Sequence, residues 1–317
     1  MADITVVILT FNEQMHIARA LASVRSFAAR VVVVDSGSTD QTARLAVAAG
    51  AEVFVNPFVN QAKQFQWALD NTGIATAWIM RLDADEVISN ALAAEITEKL
   101  PVTAHDVVGM NLRRRHVFMG RWIRHGGRYP LRLLRIWKTG HGRVEDRWMD
   151  EHIFVWGGKT IDLDHDFSDV NLNDLSFFVD KHNRYATREA IEVINHRLGL
   201  FPHDEAAENT GTSSQAALKR WIKEKIYNRI PFGISSSAYF VWRYVFQLGF
   251  LDGQAGLIYH FMQGFWYRFL VGAKVVELTQ GIANLQDRGE ILAELSRLTG
   301  YRLGPQADDT AVRPRAG

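Results

Sequence analysis

A chain of 317 residues is long enough for one large domain or two ordinary ones with a substantial core. With 47% hydrophobic and 22% charged residues it is neither disordered nor built like a polytopic membrane protein, and the absence of cysteine excludes disulfides, thiolate metal sites and a cysteine nucleophile. The net charge of +1 hides a local imbalance: Arg113 to Val144 holds nine Arg and one Lys with no Asp or Glu.

The chain begins Met1-Ala2-Asp3 and enters the β-branched run Ile4–Leu9 without a basic leader, so the catalytic part is expected in the cytoplasm. A continuous apolar run of that kind reads as a strand buried on both faces of a parallel sheet. It ends in Thr10-Phe11-Asn12-Glu13. Ile17, Ala20, Leu21 and Val24 then recur at helical spacing. Val31–Val34 is a second apolar strand, and it delivers Asp35-Ser36-Gly37-Ser38-Thr39-Asp40 to its carboxyl end. A helix over Gln41–Ala49 closes at Gly50, Glu52–Val55 is a third strand, and a helix over about Gln61–Asn71 leads to the strand Trp78–Leu82. The β-α-β-α-β-α-β order predicts a doubly wound, mostly parallel sheet flanked by helices.

That fourth strand stops in Asp83-Ala84-Asp85-Glu86. Carboxylates at the carboxyl edge of an open sheet stand where such proteins bind ligands. Alternate strand residues share a face, so Asp83 and Asp85 could reach one hard divalent cation; the competing reading is a run of acids ahead of a helix that starts near Ser89. No Gly-x-Gly-x-x-Gly follows the first strand and no Gly-x-x-x-x-Gly-Lys-Ser/Thr loop is present. A cation on an Asp-x-Asp pair, set against a diphosphate, points instead to a nucleotide-diphosphate donor.

Thr10-Phe11-Asn12-Glu13, Val34-Asp35-Ser36-Gly37-Ser38-Thr39-Asp40 and Leu82-Asp83-Ala84-Asp85-Glu86, in this order and at these distances, resemble the family 2 glycosyltransferases of the GT-A fold, a Rossmann-like architecture. The resemblance implies that Thr10, Asn12, Glu13 and Asp35 hold the nucleoside of the donor. It implies that Asp83 positions the ribose and that Asp85, with Asp83, binds Mg²⁺ or Mn²⁺ on the diphosphate. Where many relatives carry two adjacent acids this chain has Asp35-Ser36, which leaves the nucleoside open. Lys63 sits in a segment, Asn60–Leu69, that relatives also direct at the donor; a surface lysine is the other reading.

An inverting transfer needs one carboxylate to take the acceptor proton. The candidates lie in Glu145–His152. By resemblance to the lipopolysaccharide-core and exopolysaccharide branch, whose motif there carries the base, that residue is Glu151, with Asp150 as runner-up; pairing with Arg143 or Arg147 is the structural alternative. The basic stretch is interleaved with Trp122, Tyr129 and Trp137, and its Gly and Pro punctuation suggests loops around short strands rather than a nucleic-acid recognition helix. Arg128, Arg132 and Arg135 are expected to meet the donor diphosphate or an acceptor phosphate. His165 is read as a third metal ligand or as a residue that holds a loop.

From about Leu172 the pattern turns helical. Leu175–Asn195 reads as a long helix with Phe177, Phe178, His182, Tyr185, Ala186 and Ala190 on one face. Phe201–Ser214 reads as a flexible connection, and Leu218–Ile230 as a basic helix suited to an anionic bilayer. Ala238–Leu251 and Gly256–Val276 are strongly apolar, yet Arg243, Asp252, His260, Arg268 and Lys274 interrupt them too often for a span of about 20 residues, so shallow or re-entrant helices are expected.

The sequence thus divides into a catalytic domain over residues 1–171, a helical, membrane-associating region over 172–300 that binds acceptor, and a disordered tail over 301–317. The expected activity is inverting, metal-dependent transfer of a sugar from a nucleotide-diphosphate donor, UDP-sugar foremost, to a lipid-linked saccharide acceptor in bacterial lipopolysaccharide or surface polysaccharide synthesis. The expected place is the cytoplasmic face of the inner membrane, as a peripheral or monotopic protein without nucleic acid. A membrane-docking nucleotide-binding protein without turnover and a nucleotidyltransferase are the alternatives.

Overall fold

The computed structural model describes residues 1–144, 153–200 and 231–303. The chain forms two compact units, one of residues 1–172 with 251–255 and one of residues 173–250 with 256 onward.

The first unit begins as the sequence predicts. β1 (Ala2–Thr10), β2 (Ala28–Asp35), β3 (Glu52–Val55) and β4 (Trp78–Asp83) are parallel and lie in the order β3-β2-β1-β4. α1 (Ile17–Val24) buries Ile17, Ala20, Leu21 and Val24, the four positions at helical spacing. α2 (Thr42–Ala48) and α3 (Gln61–Asn71) complete the crossovers. Alternation along β1 divides the core between two faces. Ile4, Val6 and Ile8 pack with α1 residues, and Val7 packs with Ala62, Phe65 and Ala68 of α3.

Beyond β4 the sheet departs from the mostly parallel expectation. β5 (Glu86–Ile88) follows at once, and only then does Ser89 cap α4 (Asn90–Lys99) by accepting from Leu92 N at 3.2 Å. β6 (Val107–Phe118), the short β7 (Arg121–Trp122), β8 (Leu131–Lys138) and β11 (Lys159–Val170) extend the order to β4-β8-β6-β11-β5, while β9 (Gly142–Val144) and β10 (Ile153–Val155) make a separate ribbon. β8 runs antiparallel to both β4 and β6, β6 runs parallel to β11, and β5 runs antiparallel to β11. The sheet is therefore mixed. The basic stretch holds loops and the short strands β7 and β9, as expected, but also the end of β6 and all of β8, two inner strands. Its charge is tolerated because β11 supplies acids alongside: Arg113 and Arg115 pair with the buried Asp166, and Arg114 with Asp169.

The second unit is helical. α5 (Leu175–Leu198) is capped by Asp174, which accepts from Phe177 N at 2.8 Å, and ends at Gly199 with φ 62°. Its buried stripe is Ala186, Ala190, Ile191 and Ile194, packed with Val271, Val275 and Leu278 of α8 (Tyr267–Gly281) and Leu292 and Leu295 of α9 (Arg288–Thr299). The expected aromatic face does not form the stripe: Phe177 is exposed, and Phe178 stacks on His182 at 3.8 Å between ring centres. Between α5 and α8 lie α6 (Phe232–Val241), a π-helical turn Trp242–Phe246, a 3₁₀ turn Gly249–Asp252, α7 (Gly253–His260) and a second π-helical turn Phe261–Trp266. The connection 201–214, the basic helix 218–230 and the tail from 304 onward lie outside the described residues.

In the first unit α4 is fastened to β11 through one carboxylate. Glu95, 6% exposed, accepts from the backbone N–H groups of Asp164 and His165 at 2.9 and 3.0 Å, from His165 Nδ1 at 2.9 Å, and pairs with Lys99 at 2.7 Å. Burial pushes this carboxyl up, but those donors outweigh burial and bring it down to about 2 from 4.5. Because the folded value lies below the free one, the stabilisation is fully present above pH 4.5 and is lost as pH falls toward 2. Glu95→Gln should cost about 2–3 kcal/mol at pH 7, read by urea denaturation, and its deficit relative to the unmodified chain should close across that acid range.

Candidate active site

The parallel strands bring the motif residues together at one edge. In register, Thr10 lies beside Asp35 and Leu9 beside Asp83, so β1, β2 and β4 end level. From β1 the chain crosses to β2 on one side and returns through α3 to β4 on the other. The crevice between the ends of β1 and β4 is therefore a topological switch point, where open α/β sheets take their ligands.

The first two loops are knitted through Asp35 and Asn12. Asp35 is buried and accepts from Thr10 Oγ1 at 2.9 Å, Gly37 N at 3.0 Å, and Ser38 N and Oγ at 2.7 and 2.5 Å. Gly37, with φ 85°, makes that turn possible. Asn12 stands in the left-handed region, φ 57°, a conformation Asn tolerates; its Oδ1 accepts from Thr39 N and its N–H donates to Ser38 Oγ, both at 2.8 Å. Glu13 accepts from His16 Nδ1 at 2.6 Å, and the other nitrogen of that buried ring accepts from Leu172 N at 2.9 Å. Lys63 is exposed on the first turn of α3, next to the buried Gln64, whose Nε2 donates to Ser36 Oγ at 3.1 Å.

The two aspartates of the Asp-x-Asp do not share a strand face. Asp83 ends β4, whereas Asp85 lies in the tight turn to β5. Asp83, its side chain 32% exposed, meets Arg81 Nε at 3.2 Å and Arg135 Nη2 at 3.2 Å. Arg135 also pairs with Glu86, lies against the ring of Phe167, and is buried. Glu86 accepts from Asp83 N at 2.9 Å. Asp85 accepts at Oδ2 from Asn171 Nδ2 at 3.0 Å, and its carbonyl accepts from Val170 N at 3.0 Å. Asp169, opposite Glu86 in register, accepts from or pairs with His116 at 3.0 Å and Arg114 at 3.5 Å.

These partners separate the acids electrostatically. Burial opposes the charge on Asp83, but Arg81 and Arg135 overcome it and hold that carboxyl well below the usual range. Burial, reinforced by the negative charge of Asp83 and Asp169, pushes Glu86 up to about 8 against the pull of Arg135. Burial and its acidic neighbours thus oppose ionisation of Glu86, whereas Arg81 and Arg135 favour it at Asp83.

The basic trio does not gather. Arg135 is inside, holding Asp83 and Glu86, and so does not face a phosphate as expected. Arg132 pairs with Asp162 at 2.7 Å, both about half exposed, and Arg128 is half-buried in the loop after Gly126-Gly127. His165 is held by Glu95 and is not brought to Asp83 and Asp85; of its two readings the structure supports the fastening one. Glu151 and Asp150 lie outside the described residues. Arg81, Asp169, Asn171 and Arg19, which reaches the carbonyl of Val170, were not singled out by the sequence, and Glu86 reads there as an acid ahead of a helix. Among the described residues no three His, Cys, Asp or Glu side chains converge as a metal cage. A pair of hard carboxylate oxygens still fits Mg²⁺ or Mn²⁺, which takes one or two protein carboxylates and completes its shell from substrate phosphates and water.

Comparison with known proteins agrees with this layout. The glycosyl transferase family 2 sequence model matches residues 5–161. An uncharacterized glycosyltransferase of Rickettsia typhi is 38% identical over 96 residues, 30% of this chain and 32% of that protein. The lipopolysaccharide core biosynthesis glycosyltransferase LpsC of Rhizobium meliloti is 31% identical over 143 residues, 44% of this chain and 52% of that protein. The matched stretch thus spans about a third to a half of these relatives. A crystal structure of glucosyl-3-phosphoglycerate synthase from Mycobacterium tuberculosis with Mn²⁺, UDP and glucosyl-3-phosphoglycerate aligns over 36% of this chain and 43% of that one at 21% identity, with a TM-score of 0.30, too slight a likeness to bear on ligands here. The match places residues 5–161 in glycosyl transferase family 2.

Two substitutions test the acid cluster. Arg135→Met removes the buried counter-charge of Asp83 and should cost about 3–5 kcal/mol in denaturant unfolding. Glu86→Gln keeps the size of the side chain but sets an amide N–H against one of its two donors, Arg135 and the Asp83 N–H, and should cost about 1–3 kcal/mol.

Proposed function

We propose that the chain is an inverting, metal-dependent glycosyltransferase that moves a sugar from a nucleotide-diphosphate donor, UDP-sugar foremost, to a lipid-linked saccharide acceptor in lipopolysaccharide or related surface polysaccharide synthesis. The observation that carries this reading is the level ending of β1, β2 and β4, which sets Thr10, Asp35 and Asp83 around one crevice with Asp85 in the next turn. The likeness to LpsC supports the lipopolysaccharide setting.

In this reading the loops of Thr10, Asn12, Glu13 and Asp35 take the nucleoside, with Asp35 fixing their shape from beneath. Asp83, kept ionised and oriented by Arg81 and Arg135, meets the ribose. Asp85 and Asp83 would hold Mg²⁺ or Mn²⁺, which supplies charge neutralisation at the leaving diphosphate. Glu151, with Asp150 as the alternative, removes the acceptor hydroxyl proton as the oxygen attacks the anomeric carbon. The bond from that carbon to the diphosphate breaks, and the nucleoside diphosphate departs with the electron pair. Lys63, Arg128 and Arg132 add positive charge for donor or acceptor phosphates. The acceptor's lipid places the reaction at the cytoplasmic face of the inner membrane, with the helical unit at its surface.

Radiolabelled sugar transfer into membrane extract tests the assignment. Asp85→Ala and Glu151→Gln should each lower transfer at least about 10²-fold with the unfolding midpoint unchanged, and the released product should be nucleoside diphosphate. Undiminished transfer by Glu151→Gln would overturn the base, and release of pyrophosphate would indicate a nucleotidyltransferase.

A further inference from the structure

The helical unit inverts the usual placement of polar and apolar side chains between Pro231 and Phe269. α6 buries Ser235 and Ser236, at 7% and 1% exposure, while Ile234 and Val241 are 62% and 42% exposed. Along the π-helical turn that follows, Arg243 is 5% exposed, whereas its neighbours Trp242, Val245 and Phe246 are 53%, 48% and 67% exposed. The pattern repeats on the returning limb. His260 is wholly buried, and Leu257, Phe261 and Phe269 face outward.

Between Pro231 and Phe269 the residues of the helical unit that carry a formal charge are Arg243 and Arg268. Both are set against aromatic rings. Arg243 lies over the rings of Tyr239 and Tyr259, at 5.6 and 5.8 Å, and Arg268 over that of Tyr239, at 3.7 Å; Asp252, in the first unit, accepts from His125 N and pairs with its ring at 2.7 Å. Ser237, which is exposed, folds its hydroxyl back to Gly233 O at 2.8 Å. A water-facing helix places its charges outward and its aliphatic residues inward. Exposed apolar patches mark binding surfaces, and protein partners are met with a polar, often charged rim. A helical surface with apolar side chains outside and its few charges inside suits hydrocarbon, where backbone groups must be satisfied internally.

The length sets the depth. α6 and its π-helical turn, Phe232 to Phe246, rise about 22 Å at 1.5 Å per residue, short of the roughly 30 Å of a bilayer's hydrocarbon. No helix among the described residues is long and apolar enough to cross a membrane. Ile234, Ala238, Val241, Trp242 and Phe246 also line an open groove of about 570 Å³, a space that acyl chains could fill.

We propose that residues 231–269 form a monotopic wedge that enters one leaflet of a phospholipid bilayer, held there by apolar insertion of Ile234, Trp242, Phe246, Phe261 and their neighbours rather than by charge. This rests on the membrane-facing part of the proposed function and not on sugar transfer. It extends that part from surface attraction to insertion.

The test is co-sedimentation of the full chain with neutral phosphatidylcholine vesicles in roughly 1 M salt, where charge attraction is screened beyond about 3 Å. Insertion predicts that binding persists in high salt and that Trp242→Ser and Phe246→Ser together weaken it at least about tenfold. The change in thermal stability on adding UDP and Mn²⁺, which reports the first unit, should be the same in the double variant as in the parent chain. That measurement separates failure of the wedge from failure of the nucleotide site. Binding that vanishes in high salt or needs anionic lipid would overturn the proposal. So would a parent chain that ignores vesicles while sedimenting as a dimer that the double variant dissolves, since the face would then meet a second copy.

Discussion

Arg135 is the hinge of the sheet edge that carries the Asp-x-Asp turn. A guanidinium buried on β8 reaches both Asp83, at the end of β4, and Glu86, at the start of β5. The two strands leave the Asp-x-Asp turn for distant places in the sheet, β4 beside β1 and β5 at the far edge beside β11. One cation therefore fastens a turn whose arms are pulled apart. Buried charges carry a desolvation cost that only good geometry offsets. Here Arg135 faces both Asp83 and Glu86, and Arg81 sets a second cation beside Asp83. The outcome is an Asp83 that stays ionised and directed, and an Asp85 presented in the turn with Asn171 alongside.

The rest of the first unit frames that turn. Parallel pairing in register sets the Thr10 loop next to it and the Asp35 loop one strand further, and hydrogen bonds through Asn12, Ser38 and Thr39 give those two loops one shape. In the helical unit, the segment Phe232–Phe246 turns Arg243 inward and sets Ile234, Trp242 and Phe246 outward.

How much of this the sequence discloses depends on distance along the chain. Ile4–Leu9, Val31–Val34 and Trp78–Leu82 announce buried parallel strands because every residue is apolar, and Ile17, Ala20, Leu21 and Val24 mark their helix because spacing alone identifies the buried face. The second half is harder to read. β6 carries three consecutive arginines and β8 carries Arg132 and Arg135, which imitate exposed segments; β6 is an inner strand with Asp166 and Asp169, some fifty residues later, beside it on β11, and β8 lies between β4 and β6. Glu86 looks like an acid that starts a helix, since nothing local reveals that β11 returns antiparallel to make β5 a strand. The motifs Thr10–Glu13, Asp35 and Asp83–Asp85 were legible because their chemistry is local to each strand end. Arg135, Asn171 and Asp169 were not, because their roles exist only once distant strands pair. For the same reason Arg135, read as a phosphate contact, is instead an interior support.

The proposed function sets a nucleoside diphosphate in the crevice between β1 and β4, held through a divalent cation on Asp85. Calorimetric titration of UDP into the full chain, with Mn²⁺ and then with chelator in its place, tests it most directly. The account predicts saturable one-site binding that weakens at least about tenfold when the metal is withdrawn, and by a similar factor in Asp85→Ala with metal present. Binding of equal strength with and without Mn²⁺, or unchanged in Asp85→Ala, would contradict it.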